Sequence, residues 1–255
     1  MAEPAKRLPI PQEAEDEPGF PVLQRWIERP DGRRELLSRP LTPVDFLNPQ
    51  PEDTMTQGET HANVRRRLAD LLDRHFKDAL VLEDVIHQLG PGLPSPSPDV
   101  SVILGAQRGE RGSFSVPEEG VAPDLVVEIV SPSSKAIRNV DEVDKVTAYS
   151  RAGIPEYVLV DLPRRGNRYR LGLKGYRLDS AGKYVPIEPD PKGHLLCKAT
   201  RLRFCVEDDR VRVIDDRTDR PLLYSYEEEA LRMSVEEENA RLHEELRRLK
   251  SRLEP

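Results

Sequence analysis

Cysteine is scarce in this sequence: Cys197 and Cys205 are the only two, and they lack the paired spacing of a zinc ribbon. Two cysteines in 255 residues do not make a disulfide scaffold, and a reducing, cytoplasmic setting is expected. Aromatic residues make up only 5% of the chain, with a single tryptophan, Trp26. No apolar run approaches the roughly 20 residues of a membrane span, so a soluble protein is expected. The first twenty residues are charged and proline-rich, without the basic start and apolar stretch of a signal peptide. A basic excess is missing too. The net charge is -7, and residues 226–255, with 9 acidic and 6 basic side chains, supply -3 of it. A tight, non-specific nucleic-acid binder usually carries a basic excess, so contact with DNA would have to come from local patches or from a metal. Nor is there a Walker-type glycine loop, a zinc spacing of cysteine and histidine, or a G-x-S-x-G elbow.

Present instead is one good-sized domain with appendages. Residues 1–18, rich in proline and charge, read as a disordered leader. Residues 19–225 form the principal domain, with 19–50 packing against its core. A helix is predicted where Val64, Leu68, Leu71, Leu72 and Phe76 recur at helical spacing. Residues 80–88 read as a first strand, 98–105 as a second, 106–122 as a long hairpin loop and 124–130 as a third strand. Residues 139–152 read as a helix capped by Asn139 or Asp141 and ended by Gly153, and 156–161 as a further strand. Short strand-like runs from 167 to 213 suggest an antiparallel extension. The expected fold is α/β, a mixed central sheet flanked by helices.

Residues 226–255 are predicted to be helical. Val235, Asn239, Leu242, Leu246, Leu249 and Leu253 step by 4, 3, 4, 3, 4, the a/d spacing of a parallel two-stranded coiled coil, which would make the chain a homodimer. A solvated single helix is the alternative, because about three heptads are marginal alone.

One residue breaks the pattern of the third strand. Leu125, Val126, Val127, Ile129 and Val130 describe a strand buried on both faces, yet Glu128 stands among them. A buried carboxylate needs a pairing cation, hydrogen bonds or a bound metal. Either Glu128 pairs at a half-solvated strand end, for instance with Arg138, or it belongs to a site. If the second and third strands form an antiparallel hairpin, Asp99 comes beside Glu128, while Asp124 falls at the far end as a turn residue. Two carboxylates at a sheet end suit Mg2+ or Mn2+. Such an ion generates a nucleophile from water and offsets charge on a phosphodiester. A basic group is then wanted; Lys145 is the best candidate, with Tyr149 one turn on, and an ordinary solvated lysine is its alternative.

In order along the chain, "SPDVSVILG", "APDLVVEIVSPSS" and "DEVDKVTAYSRAGIPEYVLVD" resemble the Uma-two family of restriction endonucleases, a branch of the PD-(D/E)XK nuclease superfamily. The resemblance spans about residues 40 to 225. It implies the mixed sheet, Mg2+-dependent hydrolysis of DNA, and the roles of Asp99 and Glu128 as first and second acids. The lysine usual two residues after the glutamate is replaced by Val130, with Lys145 as its relocated substitute. An acid on the first helix often lies near the metal, and Glu59 alone fits by position, although it reads better as a simple first-turn residue favoured by the helix dipole. His61 falls on the apolar stripe of that helix, as a satisfied core histidine would. Arg65, Arg66, Arg67, Arg108 and Arg111 are candidate phosphate contacts or plain surface charges. The rival function is a catalytically silent nuclease-like protein that binds or assembles through its coiled-coil tail, favoured by the acidic charge and the missing lysine.

Overall fold

The computed structural model describes residues 22–55, 58–130, 138–162, 164–165, 168–169 and 171–253; the expected leader lies outside them. The centre is a six-stranded mixed sheet in the order β13-β12-β9-β8-β6-β4, made of β4 (Leu80–Glu83), β6 (Val100–Ile103), β8 (Leu125–Val130), β9 (Glu156–Asp161), β12 (Gly172–Leu178) and β13 (Tyr184–Pro186). Its one parallel pair is β8 with β9; the other pairs are antiparallel. β8 is buried along its whole length, as its apolar run demands.

Alternation along β8 sends Leu125, Val127 and Ile129 toward α2 (Glu59–His75), where they meet Leu68, Leu71 and Leu72. Val126 and Val130 turn the other way, toward α4 (Lys145–Arg151) and its Ala148 and Tyr149. Each fully buried leucine of α2 contributes about 1.5–3 kcal/mol of transfer free energy. The period of two places Glu128 on the α4 face, and this decides its neighbours.

An antiparallel sheet of β14 (Leu195–Cys197), β15 (Leu202–Glu207), β16 (Arg210–Asp215) and β17 (Arg220–Pro221) extends the α2-side core through Leu202, Phe204, Val211 and Val213. A two-stranded ribbon joins β10 (Arg164–Arg165) to β11 (Arg168–Tyr169). β1 (Val22–Glu28), β2 (Arg34–Pro40) and β3 (Asp53–Met55) form a separate sheet with its own small core of Leu23 and Leu41, against which Phe46 and Met55 pack. Phe46 belongs to α1 (Pro43–Leu47), which opens with a capping box between Thr42 and Asp45 and a proline in its first turn. Arg39 clamps the Asp45 carboxylate at 2.5 and 2.6 Å and holds its pKa down at about 2.

Three local expectations are corrected. The predicted strand over 80–88 is broken at Asp84, whose φ of +53° ends β4; β5 (Ile86–Gln88) then joins a separate parallel pair with β7 (Ser113–Ser115). β7 and α3 (Val116–Glu119) occupy part of the segment read as loop. Within 139–152 the chain forms a π-helical turn over Val140–Asp144 before α4, and neither Asn139 nor Asp141 caps it with a side-chain bond. Gly153, at φ +76°, does end the helix. The C-terminal helix, α5, runs over Ser225–Leu253. No helix among the described residues is long and apolar enough to cross a membrane.

Candidate functional site

The β6–β8 register pairs Val100 with Val127, so Asp99 stands opposite Glu128 one step further along, at the end where β6 begins. The two carboxylates are 5% and 2% exposed. Asp99 Oδ2 accepts the Ile129 backbone N–H at 2.7 Å, and Oδ1 lies 2.7 Å from His61 Nε2 on α2. A carboxylate oxygen can only accept, so His61 carries its proton on Nε2. Arg65, one turn further along α2, approaches the same Oδ1 at 3.8 Å while it pairs with Glu83 and Asp84. Burial works against the charge on Asp99, but His61 and the Ile129 N–H outweigh it and hold the pKa below the usual aspartate value.

Glu128 is partnered by α4. Lys145 Nζ lies 2.9 Å from Glu128 Oε1, and the Tyr149 hydroxyl donates to the same oxygen at 2.7 Å. Lys145 and Tyr149 are one helical turn apart, so both reach the strand beneath them. Arg138 does not take part: it binds Asp161 and Glu142. Lys145 also meets Asp141 Oδ1 at 2.9 Å, across the junction with the π-turn, and its ammonium sits 4.2 Å from the centre of the Phe46 ring. Desolvation would lower the Lys145 pKa, but Asp141 and Glu128 raise it above the ordinary lysine value.

Two carboxylates thus share one lysine, with Asp99 beside Glu128, and the negative surplus shows in the titration of Glu128 and Asp141. Burial, only partly offset by Lys145, pushes Glu128 up to about 8; burial raises Asp141 as well. Asp141 Oδ1 is close to Nζ but lacks a directed hydrogen bond among the described residues. One ammonium shared by two buried carboxylates leaves the cluster short of positive charge.

As donors to a hard dication, Asp99 and Glu128 both keep free lone pairs; Glu128 Oε2 takes part in none of the contacts above. Among the described residues, no three histidine, cysteine, aspartate or glutamate side chains are grouped to cage a metal. Two carboxylates with water and substrate oxygens is the open arrangement Mg2+ favours, so the residues fit that ion and not an all-protein metal cage.

Asp99, Glu128, Lys145 and Tyr149 are brought together as their spacing indicates. Glu59 is not: it is exposed at the first position of α2. His61, two residues on, is the α2 residue hydrogen-bonded to Asp99, with Arg65 approaching from the next turn. Asp124 accepts the Leu104 N–H at 2.8 Å at the far end of the hairpin, a turn role. Arg108 and Arg111 are engaged by Asp73 and Glu119. Asp141 was missed because its first-turn position read as a cap, although its four-residue spacing to Lys145 carried the signal.

A family model, Uma2, described as "Putative restriction endonuclease", matches residues 34–202, more than half of the 255-residue chain. The matched stretch contains every residue of the cluster. No curated protein matches the chain.

Proposed function

The chain belongs to the Uma2 family, described as "Putative restriction endonuclease", and we propose that it hydrolyses phosphodiester bonds of DNA, with Mg2+ or Mn2+ held by Asp99 and Glu128. The observation that carries this reading is Lys145 Nζ at 2.9 Å from Glu128: a lysine from α4 meets the second acid where the usual neighbouring lysine is replaced by Val130.

Bound between the two acids, the ion would polarise a phosphoryl oxygen and acidify water. His61 and the Ile129 amide fix Asp99 as an ionised acceptor. Tyr149 fixes Glu128 Oε1, which leaves Oε2 for the ion. Lys145 is charged and held so by Asp141 and Glu128, so it acts as a cationic donor that orients the attacking water and offsets charge on the scissile phosphate, not as a proton-abstracting base. Glu59 has no part in this arrangement.

The test joins two measurements on the full chain: calorimetric titration of Mn2+, with and without DNA, and cleavage of supercoiled plasmid. Wild type is expected to bind the ion and cut; Glu128→Gln keeps the fold and does neither. A Glu128→Gln protein that cleaves as fast as wild type would overturn the assignment. The rival, a silent binding or assembly domain, draws on one observation: Asp99, Glu128, Asp141 and Lys145 are all at most 5% exposed. It is the outcome if wild type binds no Mn2+ even with DNA present.

A further inference from the structure

α5 leaves the domain after its first turn. The ties that fasten it are Arg210 to the Tyr226 hydroxyl, Arg212 to Glu227 at 2.8 Å and Arg74 to Glu228 at 2.6 Å. Further along, Val235, Leu242, Leu246 and Leu249 are 51%, 45%, 53% and 47% exposed, and with the exposed Asn239 they form one seam at heptad spacing. Water gives a solitary helix no reason to align apolar groups in this way; a second helix laid along the seam does.

The charges indicate which helix. On the outward face of α5 Glu244 pairs with Arg247 and Arg248, and the outward Arg241 reaches back to Glu238 beside the seam. Glu245 and Lys250, which flank the seam, make no ion pair among the described residues. With Asn239 and Leu246 at a and Leu242 and Leu249 at d, Glu238 and Glu245 occupy g positions, and His243 and Lys250 occupy the e positions five residues later. A parallel pair sets each g against the following e of its neighbour, acid against base. An antiparallel pair would set acidic g positions against each other. A polar Asn239 at a fixes the register and favours two strands.

We infer that α5 is a dimerisation helix whose occupant is a second copy of this chain, parallel and in register through Val235, Asn239, Leu242, Leu246 and Leu249. Glu245 of each copy then meets Lys250 of the partner subunit. Both domains lie at the same end of the helix pair, as suits cutting of two strands, but the association does not depend on catalysis. A failed dimer test leaves the hydrolysis reading standing, and the reverse also holds.

Sedimentation of the full chain over a concentration series tests the association. Wild type is expected to shift from one to two copies as concentration rises, and Leu242→Ala with Leu246→Ala to remain monomeric. Glu245→Lys is expected to weaken association about fivefold, the scale of two exposed ion pairs, and Glu245→Lys with Lys250→Glu to restore it. Orientation is read by oxidation of two separate variants, Val235→Cys and Leu249→Cys. Parallel pairing links each to itself; the native Cys197 and Cys205 are buried and do not compete. A wild-type monomer throughout, cross-links only in the mixture of the two variants, or no effect of Glu245→Lys would overturn the inference.

Discussion

Glu128 and Glu156 sit on adjacent parallel strands and are equally hidden, at 2% and 1% exposure, yet the fold treats them differently. Glu156 accepts the backbone N–H groups of Lys198 and Ala199 at 2.6 and 3.0 Å, together with Arg177 at 3.1 Å. Its charge is met largely by backbone donors that cannot leave, and it ties the segment after β14 to the central sheet. Glu128 is met by an ammonium and a phenol, with two further carboxylates nearby. A carboxylate that serves the architecture is satisfied by fixed donors, whereas one available for chemistry keeps movable partners and an unmet demand for positive charge.

The contrast can be broken most directly by substitution of each glutamate. Glu128→Gln should abolish cleavage in a plasmid assay and leave the denaturant midpoint close to wild type, because the buried carboxyl already tends to keep its proton. Glu156→Ala should lose about 3–5 kcal/mol in chemical denaturation, the scale of breaking a buried charge pair; a loss below about 1 kcal/mol would show that the backbone clasp is not structural. Lys145→Met should become comparably destabilising as the pH rises above about 8, where Glu128 loses its proton and has no cation to meet its charge, and addition of Glu128→Gln should recover part of that loss.

Acidity sharpens the same comparison. The folded-state pKa of Glu128 is raised from 4.5 to about 8, so between those values the folded chain holds more protons than the unfolded one. Stability from this group is therefore full below 4.5 and is lost as pH rises toward 8. The melting temperature of Glu128→Gln relative to wild type should climb across that window, and a constant difference would contradict the raised pKa. Asp99 has the opposite sign: its pKa is lowered, so its contribution is present above 3.8 and fades as the pH falls below it. The smallest expected effect is that of Phe46→Ala. It removes the ring over Lys145 and should cost about 0.5–2 kcal/mol through the cation–π contact, besides the packing of the small N-terminal core.

Much of the site was legible because it follows two simple periods. Alternation marked Glu128 as an intruder in a buried strand, the hairpin topology placed Asp99 beside it, and the one-turn spacing of Lys145 and Tyr149 put both on one helix face. Asp141 was misread because an acid near a helix start resembles a cap, and because no residue pattern announces a π-turn. His61 was read as a satisfied core histidine; the sequence did not show that its partner would be Asp99. β5, β7 and α3 escaped because elements of three or four residues are decided by what packs on them, not by local preference.

Phe46 reaches Lys145 from α1, the helix packed on the smallest core among the described residues, whereas β6, β8 and β9 contribute to the largest. In hydrogen-exchange terms, the amides of β1 and α1 should be released by local opening of that layer, and those of β8 only by global unfolding. Each local opening uncovers the side of Lys145 that the ring shields, so the exchange rate of a segment remote in sequence measures how often the charged end of that lysine meets the solvent.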